Sequence, residues 1–320
     1  MQIESVPERY VPMGKRPRNC EVCGDVYYSN NVNTKTHPGK CAYEYRSQRV
    51  TGGVDTKVPA QVSPTLSIVQ PASYERVMFW PDTHLPYQDK RAVELALKIA
   101  EYFEPDRIVM LGDILDCSGF SRFDFDATDP KSFLQTELNE WHSLARSITS
   151  IAPNATKTYI RGNHEARVQR WLWKNPQLKG FEGVDLAKQM RLEEHGFDPE
   201  IKDEIELCEG SLTVRHGTYL GGSFSGAAAR QEMAKAGTSG ISGHTHRASQ
   251  YIQRDKRGLR VWIECGHLAE NPPHYAPATQ NWCQAVTVGE LARNGNDFSL
   301  ELVPFRLSYK ARVFGKELST

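Results

Sequence analysis

Residues 107–116 read Arg-Ile-Val-Met-Leu-Gly-Asp-Ile-Leu-Asp. The run from Arg107 to Leu111 has the length and apolar content of a buried strand. Gly112 lets the backbone turn sharply, and Asp113 and Asp116 follow at once. The same grammar appears on either side. Arg76–Trp80 is an apolar run leading into Asp82-Thr83-His84, and Thr156–Ile160 leads into Arg161-Gly162-Asn163-His164-Glu165. Helical spacing fills the gaps: Val93, Leu97, Ala100 and Phe103 within Asp89–Glu104, and Leu134, Leu138, Trp141, Ala145 and Ile148 within Lys131–Ile151. Pro105 ends the first of these helices.

The second half is richer in strands. Ser211–Arg215, Thr238–Ser242, Gln250–Arg254, Leu259–Cys265, Gln284–Val288 and Phe298–Val303 read as extended, with a hairpin tip at Asp255-Lys256-Arg257-Gly258. One helix, about Ser225–Ala236, interrupts them, and Gly237 is its expected stop. The acidic stretch Glu193–Glu209 reads as a solvated loop. Strand–helix–strand followed mostly by strands predicts an α/β (α+β) chain of stacked mixed sheets with helices outside.

The chemistry sits where strands end. Besides the three turns above, Arg215-His216-Gly217 and Gly243-His244-Thr245-His246 each follow a predicted strand. Residues two apart in extended chain face the same way, which pairs Asp82 with His84 and His244 with His246. Ligands of open α/β sheets collect outside the carboxyl ends of strands. Oxygen and nitrogen donors without thiolate suit Mn²⁺ above all, with Fe, Zn²⁺ or Ni²⁺ also fitting, better than Ca²⁺ or an iron–sulfur cluster. Seven donors, Asp82, His84, Asp113, Asn163, His216, His244 and His246, exceed what one ion takes from protein. Two divalent ions about 3.5–4 Å apart, bridged by a carboxylate, are expected.

In this order the motifs DTH, GDILD, GNHE, a His before Gly, and GHTH make the chain from residue 74 to 320 resemble the calcineurin-like metallophosphoesterase superfamily. The resemblance implies a four-layer αββα sandwich of two mixed β-sheets flanked by helices. It implies one ion on Asp82, His84, Asp113 and His246, and another on Asp113, Asn163, His216 and His244. It places His164 near the scissile phosphate, oriented by Asp116. Such a pair of ions lowers the pKa of bound water and neutralises phosphoryl oxygens. A His held by a carboxylate is suited to protonate the departing alkoxide, so His164 is the expected general acid and Asp116 its partner. The chain departs from the phosphoprotein phosphatases of the superfamily, which carry Arg directly after the second Asp of the GD motif; here the residue is Cys117. Arg161, Arg167 and Arg122 are candidate substitutes for binding phosphate. Gly266-His267-Leu268, Tyr275 and Asn281-Trp282 resemble the tail of bacteriophage-encoded phosphoesterases.

A different metal is expected near the N-terminus. Cys20-x2-Cys23, with His37 and Cys41 beyond, has the spacing of a structural Zn²⁺ site. His37-Pro38-Gly39 argues against a helix there, so a knuckle or ribbon is expected. The division is therefore a zinc-binding module at 1–50, a Gly- and Pro-punctuated linker at 51–73, and the phosphoesterase domain at 74–320. Residues 1–50 hold eight Lys/Arg against five Asp/Glu, a weak basic excess that suits either contact with nucleic acid or a simply solvated surface.

Composition bounds the rest. Formal net charge is zero over 320 residues, which excludes a globally basic nucleic-acid coat. Seven cysteines are too few and odd in number for a disulfide framework. No apolar run reaches a membrane span, and the first residues lack a secretory h-region, so a cytoplasmic protein is expected, in the host cytoplasm if phage-encoded. Arg167–Lys174 (RVQRWLWK) interleaves bases with Trp171 and Trp173. The favoured reading is a helix whose tryptophans face the core; the other is a nucleic-acid platform. The leading functional expectation is a phosphodiesterase or nuclease acting on DNA, RNA or nucleotides. The alternatives are a phosphomonoesterase acting on proteins or small phosphates, and a nonenzymatic nucleic-acid-binding protein.

Overall fold

The structure is a computed structural model that describes residues 16–29, 35–36, 41, 73–122, 128–222, 224–256, 258–270 and 281–320. His37 and residues 51–72, the bulk of the expected linker, lie outside them, as does Tyr275. The chain divides into two compact units, Met1–Ile68 and Val69–Thr320. In the first, β1 (Arg16–Asn19) and β2 (Val26–Ser29) form an antiparallel hairpin. Cys20 and Cys23 sit in its turn, closed by Gly24 N–H on Cys20 O and Cys20 N–H on Asp25 O, both at 2.9 Å.

The second unit holds two large sheets. The six-stranded sheet contains β3 (Tyr74–Trp80), β4 (Arg107–Met110), β5 (Thr156–Ile160), β6 (Phe197–Lys202), β12 (Ala285–Ala292) and β13 (Phe298–Pro304), in the order β13-β12-β3-β4-β5-β6. The five-stranded sheet contains β7 (Glu204–Leu207), β8 (Leu212–Arg215), β9 (Ser239–Ser242), β10 (Ala248–Asp255) and β11 (Gly258–Cys265), in the order β10-β11-β9-β8-β7. A hairpin of β14 (Lys310–Val313) and β15 (Lys316–Ser319) follows. The helices are α1 (Lys90–Phe103), α2 (Leu134–Ile151), α3 (Glu165–Lys174), the short α4 (Leu186–Gln189) and α5 (Ala227–Ala236).

Alternation along the strands builds the layers. Met78 and Trp80 of β3, with Ile108 and Met110 of β4, face a core shared with Leu95, Ile99, Trp141 and Ile148 of α1 and α2. Val77, Phe79 and Val109 point the other way, into a core completed by Val214, Ile241 and Ile263 of the second sheet. Trp262, on that sheet's far face, packs on Ala229 and Met233 of α5. Period-two side chains thus give helix, sheet, sheet and helix in turn, the four-layer sandwich that the sequence motifs imply.

Helix ends follow local chemistry. Asp89 caps α1 by accepting from the N–H groups of Arg91 at 3.0 Å and Ala92 at 3.2 Å. Gly237, at φ +77, closes α5. One expectation fails: the acidic stretch 193–209 is not a loop but carries β6 and β7. Ile205 and Leu207 alternate with Glu204 and Glu206 and pack on the inter-sheet core, so the acids mark the wet face of an edge strand.

Candidate metal centre

β3, β4 and β5 run parallel, as do β8 and β9. Their carboxyl ends deliver the five turns. Asp82, His84 and His246 bring ligand atoms within 4.8 Å of one another, and so do Asp113, His216 and His244. The two groups are stitched together by backbone. His244 N–H donates to both oxygens of Asp82, at 3.0 and 3.1 Å, and the N–H groups of Thr83 and His84 donate to Asp113 O at 3.0 Å.

Two of the imidazoles, those of His84 and His216, are aimed by their second nitrogen. His84 Nδ1 lies 2.9 Å from Asp116 Oδ1, which leaves Nε2 facing His246 Nε2 at 3.0 Å. His246 Nε2 is in turn 3.3 Å from Asp82 Oδ2. His216 Nδ1 donates to Leu111 O at 2.9 Å, and its Nε2 faces Asn163 Oδ1 at 3.1 Å and Asp113 Oδ2 at 3.2 Å. Anchoring one ring nitrogen so that the other presents its lone pair is how imidazole ligands are oriented.

The backbone is bent to this purpose. His84, Asp113, His244 and His246 are all left-handed, at φ +51, +50, +71 and +59. Such conformations cost non-glycine residues roughly 1–3 kcal/mol each and cluster at functional sites. Two glycines leave the carboxylates their space. A Cβ on Gly162 would stand 2.0 Å from Asp113 Oδ1, and one on Gly243 would stand 2.1 Å from Asp82 Oδ1. Buried carboxylates and oriented imidazole lone pairs, converging without thiolate, fit divalent cations.

Electrostatics agree with a site built around charge. Burial acts to raise the carboxyls of Asp82 and Asp113, but His216 and its neighbours outweigh it, and both are held below the usual range. Burial acts to lower His216 and His164, but the facing carboxylates raise them to about 10 and about 9. His244 and His246, where burial dominates, are lowered.

His164 caps α3 beside the cluster. Its Nδ1 lies 3.2 Å from Asp116 Oδ1 and 2.8 Å from Asp116 O, and its N–H donates to Asp113 Oδ1 at 2.8 Å. Asp116 therefore holds both His164 and His84. Arg167 lies alongside, donating to Asp116 O at 2.9 Å with Nη2 2.9 Å from His164 Nε2. Arg161, expected at the phosphate, is turned elsewhere: its guanidinium pairs with Asp203 at 3.0 Å and reaches Ile201 O at 3.5 Å. The residue after Asp116, Cys117, is fully buried in a left-handed turn with its N–H on Glu137, so the side chain cannot serve substrate.

Sequence reasoning overlooked Glu165, the last letter of GNHE. Its buried carboxylate accepts from the N–H groups of Asp113, Ile114, Leu115 and Gly162, at 2.9–3.1 Å, and from Tyr159 OH at 2.7 Å. The available signal was an acid inside a ligand motif at the first turn of a helix, read only as a neighbour of His164. Glu137 likewise holds the N–H groups of Cys117 at 2.8 Å and Ser118 at 3.2 Å. In the N-terminal unit, Cys20, Cys23 and Cys41 bring their sulfurs within 4.8 Å of one another, the clustering a thiolate-held ion requires.

No protein-family model matches the chain. It is similar to the gene 54 protein of Mycobacterium phage D29, 27% identical over 252 residues that make up 72% of this chain and 93% of that protein. It is also similar to the gene 54 protein of Mycobacterium phage L5, 25% identical over 259 residues, 75% of this chain and 98% of that one. Among solved structures, vacuolar protein sorting 29 from Cryptosporidium parvum aligns with 77% of this chain and 99% of its own, at 14% identity and a TM-score of 0.41. YfcE, a phosphoesterase from E. coli, aligns with 71% of this chain and 98% of its own, at 16% identity and a TM-score of 0.32.

Proposed function

We propose that this protein is a metal-dependent phosphoesterase of the calcineurin-like class, and that it cleaves phosphodiesters in nucleic acid or nucleotides within a cytoplasm. The observation that carries the reading is the meeting of Asp82, His84 and His246 with Asp113, His216 and His244 at the ends of parallel strands in two sheets. Asn163 would complete the second group, and Asp113 would be the carboxylate shared by both. These residues would hold two divalent ions, Mn²⁺ by preference, which would supply Lewis acidity and lower the pKa of water toward neutrality. The protein's own part is to fix the donors, exclude disorder from the turns, and hold a proton at His164. That proton goes to the leaving oxygen, while Asp116 keeps the ring in place. Arg167, beside His164, is the cation assigned to a non-bridging phosphate oxygen. A structural Zn²⁺ is assigned to Cys20, Cys23, His37 and Cys41.

The buried Cys117 favours a diester over a phosphoprotein, because the site has no arginine at that position to clamp a dianionic monoester. Hydrolysis of bis-nitrophenyl phosphate and nitrophenyl phosphate by the Mn²⁺-loaded protein tests this, followed by single- and double-stranded DNA and RNA. Diester cleavage exceeding monoester cleavage is expected. Robust monoester cleavage alone reverses the substrate class. Oligonucleotide binding without turnover under Mn²⁺, Fe²⁺ or Zn²⁺ replaces the enzyme with a binding protein.

A further inference from the structure

We propose that the outer face of α3 is a track for single-stranded nucleic acid leading away from the metal centre, an inference that rests on the phosphoesterase reading for its direction. The favoured reading of RVQRWLWK has both tryptophans of this helix facing the core. The structure reverses that: Trp173 is 71% exposed and Trp171 is 37% exposed. Only Glu165 and Val168 of α3 are fully buried.

At 3.6 residues per turn, Arg167, Arg170, Trp171 and Lys174 share one stripe. The other faces, including Val168, Leu172 and Trp173, line an open cleft of about 740 Å³, so Trp171 is the tryptophan on the stripe. The stripe begins at the catalytic turn. Arg167 touches Asp116 O and His164, and Arg170 Nη2 donates to Asn163 O at 3.1 Å. Trp171 follows, its ring in a T-shaped pair with Phe120 at 5.5 Å between centroids and 37% of the residue exposed. Lys174 closes the helix and is exposed.

Three cations lie on this stripe, and the helix's one acid, Glu165, is buried and committed to backbone N–H groups. A face that carries positive charge and exposed indole suits a ligand offering both anions and flat apolar rings. A single strand does so, since its phosphates meet Arg and Lys while an unstacked base lies on Trp171. A duplex hides its base faces, and an acidic peptide has no use for the rings. From Arg167 to Lys174 the helix rises about 10 Å, enough for about three stacked nucleotides.

The test uses the full chain with metal chelated, so that binding is read without cleavage, and a fluorescent oligothymidylate followed by anisotropy. Trp171→Ala is expected to weaken binding about tenfold or more, the loss of one base stack, and Trp171→Phe to recover most of it. Lys174→Gln is expected to lower the slope of log affinity against log salt by about 0.7. None of the three variants is expected to change bis-nitrophenyl phosphate turnover of the Mn²⁺-loaded protein by more than about twofold. Unchanged oligothymidylate affinity in Trp171→Ala overturns the track, as does a blunt duplex bound as tightly as the single strand. If the wild type binds oligothymidylate through Trp171 but hydrolyses no phosphate ester, the phosphoesterase reading falls and the track stands. If it hydrolyses esters but Trp171 is silent, the reverse holds.

Discussion

Glu165 Oε2 accepts from the backbone N–H of Asp113 at 3.0 Å and of Gly162 at 2.9 Å, so one carboxylate ties the turn after β4 to the turn after β5. Both turns carry metal-ligand candidates, and Glu165 fixes them to each other. Glu165→Ala leaves four buried N–H groups without an acceptor. Partners of this kind alter metal affinity by about 10–100-fold when removed, and unsatisfied buried donors are costly to stability. We expect Glu165→Ala to bind Mn²⁺ at least tenfold more weakly, although every proposed ligand is intact. Calorimetric titration checks this, and wild-type affinity in the variant overturns the role.

Gly162 and Gly243 give a second test that removes no ligand. A Cβ at either position would collide with a carboxylate oxygen, of Asp113 at 2.0 Å or of Asp82 at 2.1 Å. Gly162→Ala and Gly243→Ala are each expected to cut metal content per chain sharply while secondary structure by circular dichroism stays intact. Full metal content in both places the ions elsewhere.

Much of this site was legible in the sequence because its donors sit on the turns that strands dictate. Apolar runs at 76–80, 107–111 and 156–160 marked β3, β4 and β5, and each turn after them held donors. The two sheets were legible in the same way, since Met78 and Trp80 face one core and Val77 and Phe79 the other. What escaped were residues whose meaning depends on what lies across from them. Glu165 looks like any acid at a helix start until three N–H groups of a distant turn, and that of Gly162, converge on it. Arg161 looked like a phosphate ligand from its place before Gly162, yet Asp203 draws it away. Trp173 has the neighbours of a core residue in sequence, but α3 is half uncovered, and period alone does not say which helix face finds a partner. Glu204 and Glu206 hid β7 because alternation at an edge strand needs only two apolar residues to show.

The division of labour between Asp113 and His164 predicts two distinct failures. Asp113 stands with His216 and His244, so Asp113→Ala should lose metal and activity together. His164 is assigned to proton transfer, so His164→Ala should keep its metal and lose about 10²–10⁴-fold in kcat. Metal content and diester turnover measured on one preparation separate the two. A metal-free His164→Ala would make that residue a ligand instead.

The cysteine cluster is expected to act apart from the metal centre. Cys20→Ser combined with Cys23→Ser removes two of three sulfurs that lie within 4.8 Å. Zinc content should fall by one ion per chain, and bis-nitrophenyl phosphate turnover should stay within about twofold. Loss of turnover would join the two sites functionally.

Metal binding should release protons, and the sign follows from His216. In the metal-free chain, burial acts to lower this imidazole, but Asp113 and Asp82 outweigh it and raise it to about 10, against about 6.5 in an unfolded chain. At pH 7 the ring is therefore protonated and faces Asp113 Oδ2 at 3.2 Å. To lend Nε2 to a cation it must lose that proton. Mn²⁺ affinity is thus expected to rise with pH between 7 and 9, by up to about tenfold per unit for each proton released. Calorimetry in buffers of different ionisation enthalpy counts the protons directly. The same shift fixes the stability of the metal-free protein. A raised imidazole adds stability that is fully present below about pH 6.5 and is lost as pH climbs through about 10. The chelated chain should therefore lose Tm between pH 7 and 10, and the Mn²⁺-loaded chain, in which a cation has taken the proton's place, should lose less. Equal Tm profiles with and without metal, together with a pH-independent affinity, would mean that His216 does not ligate.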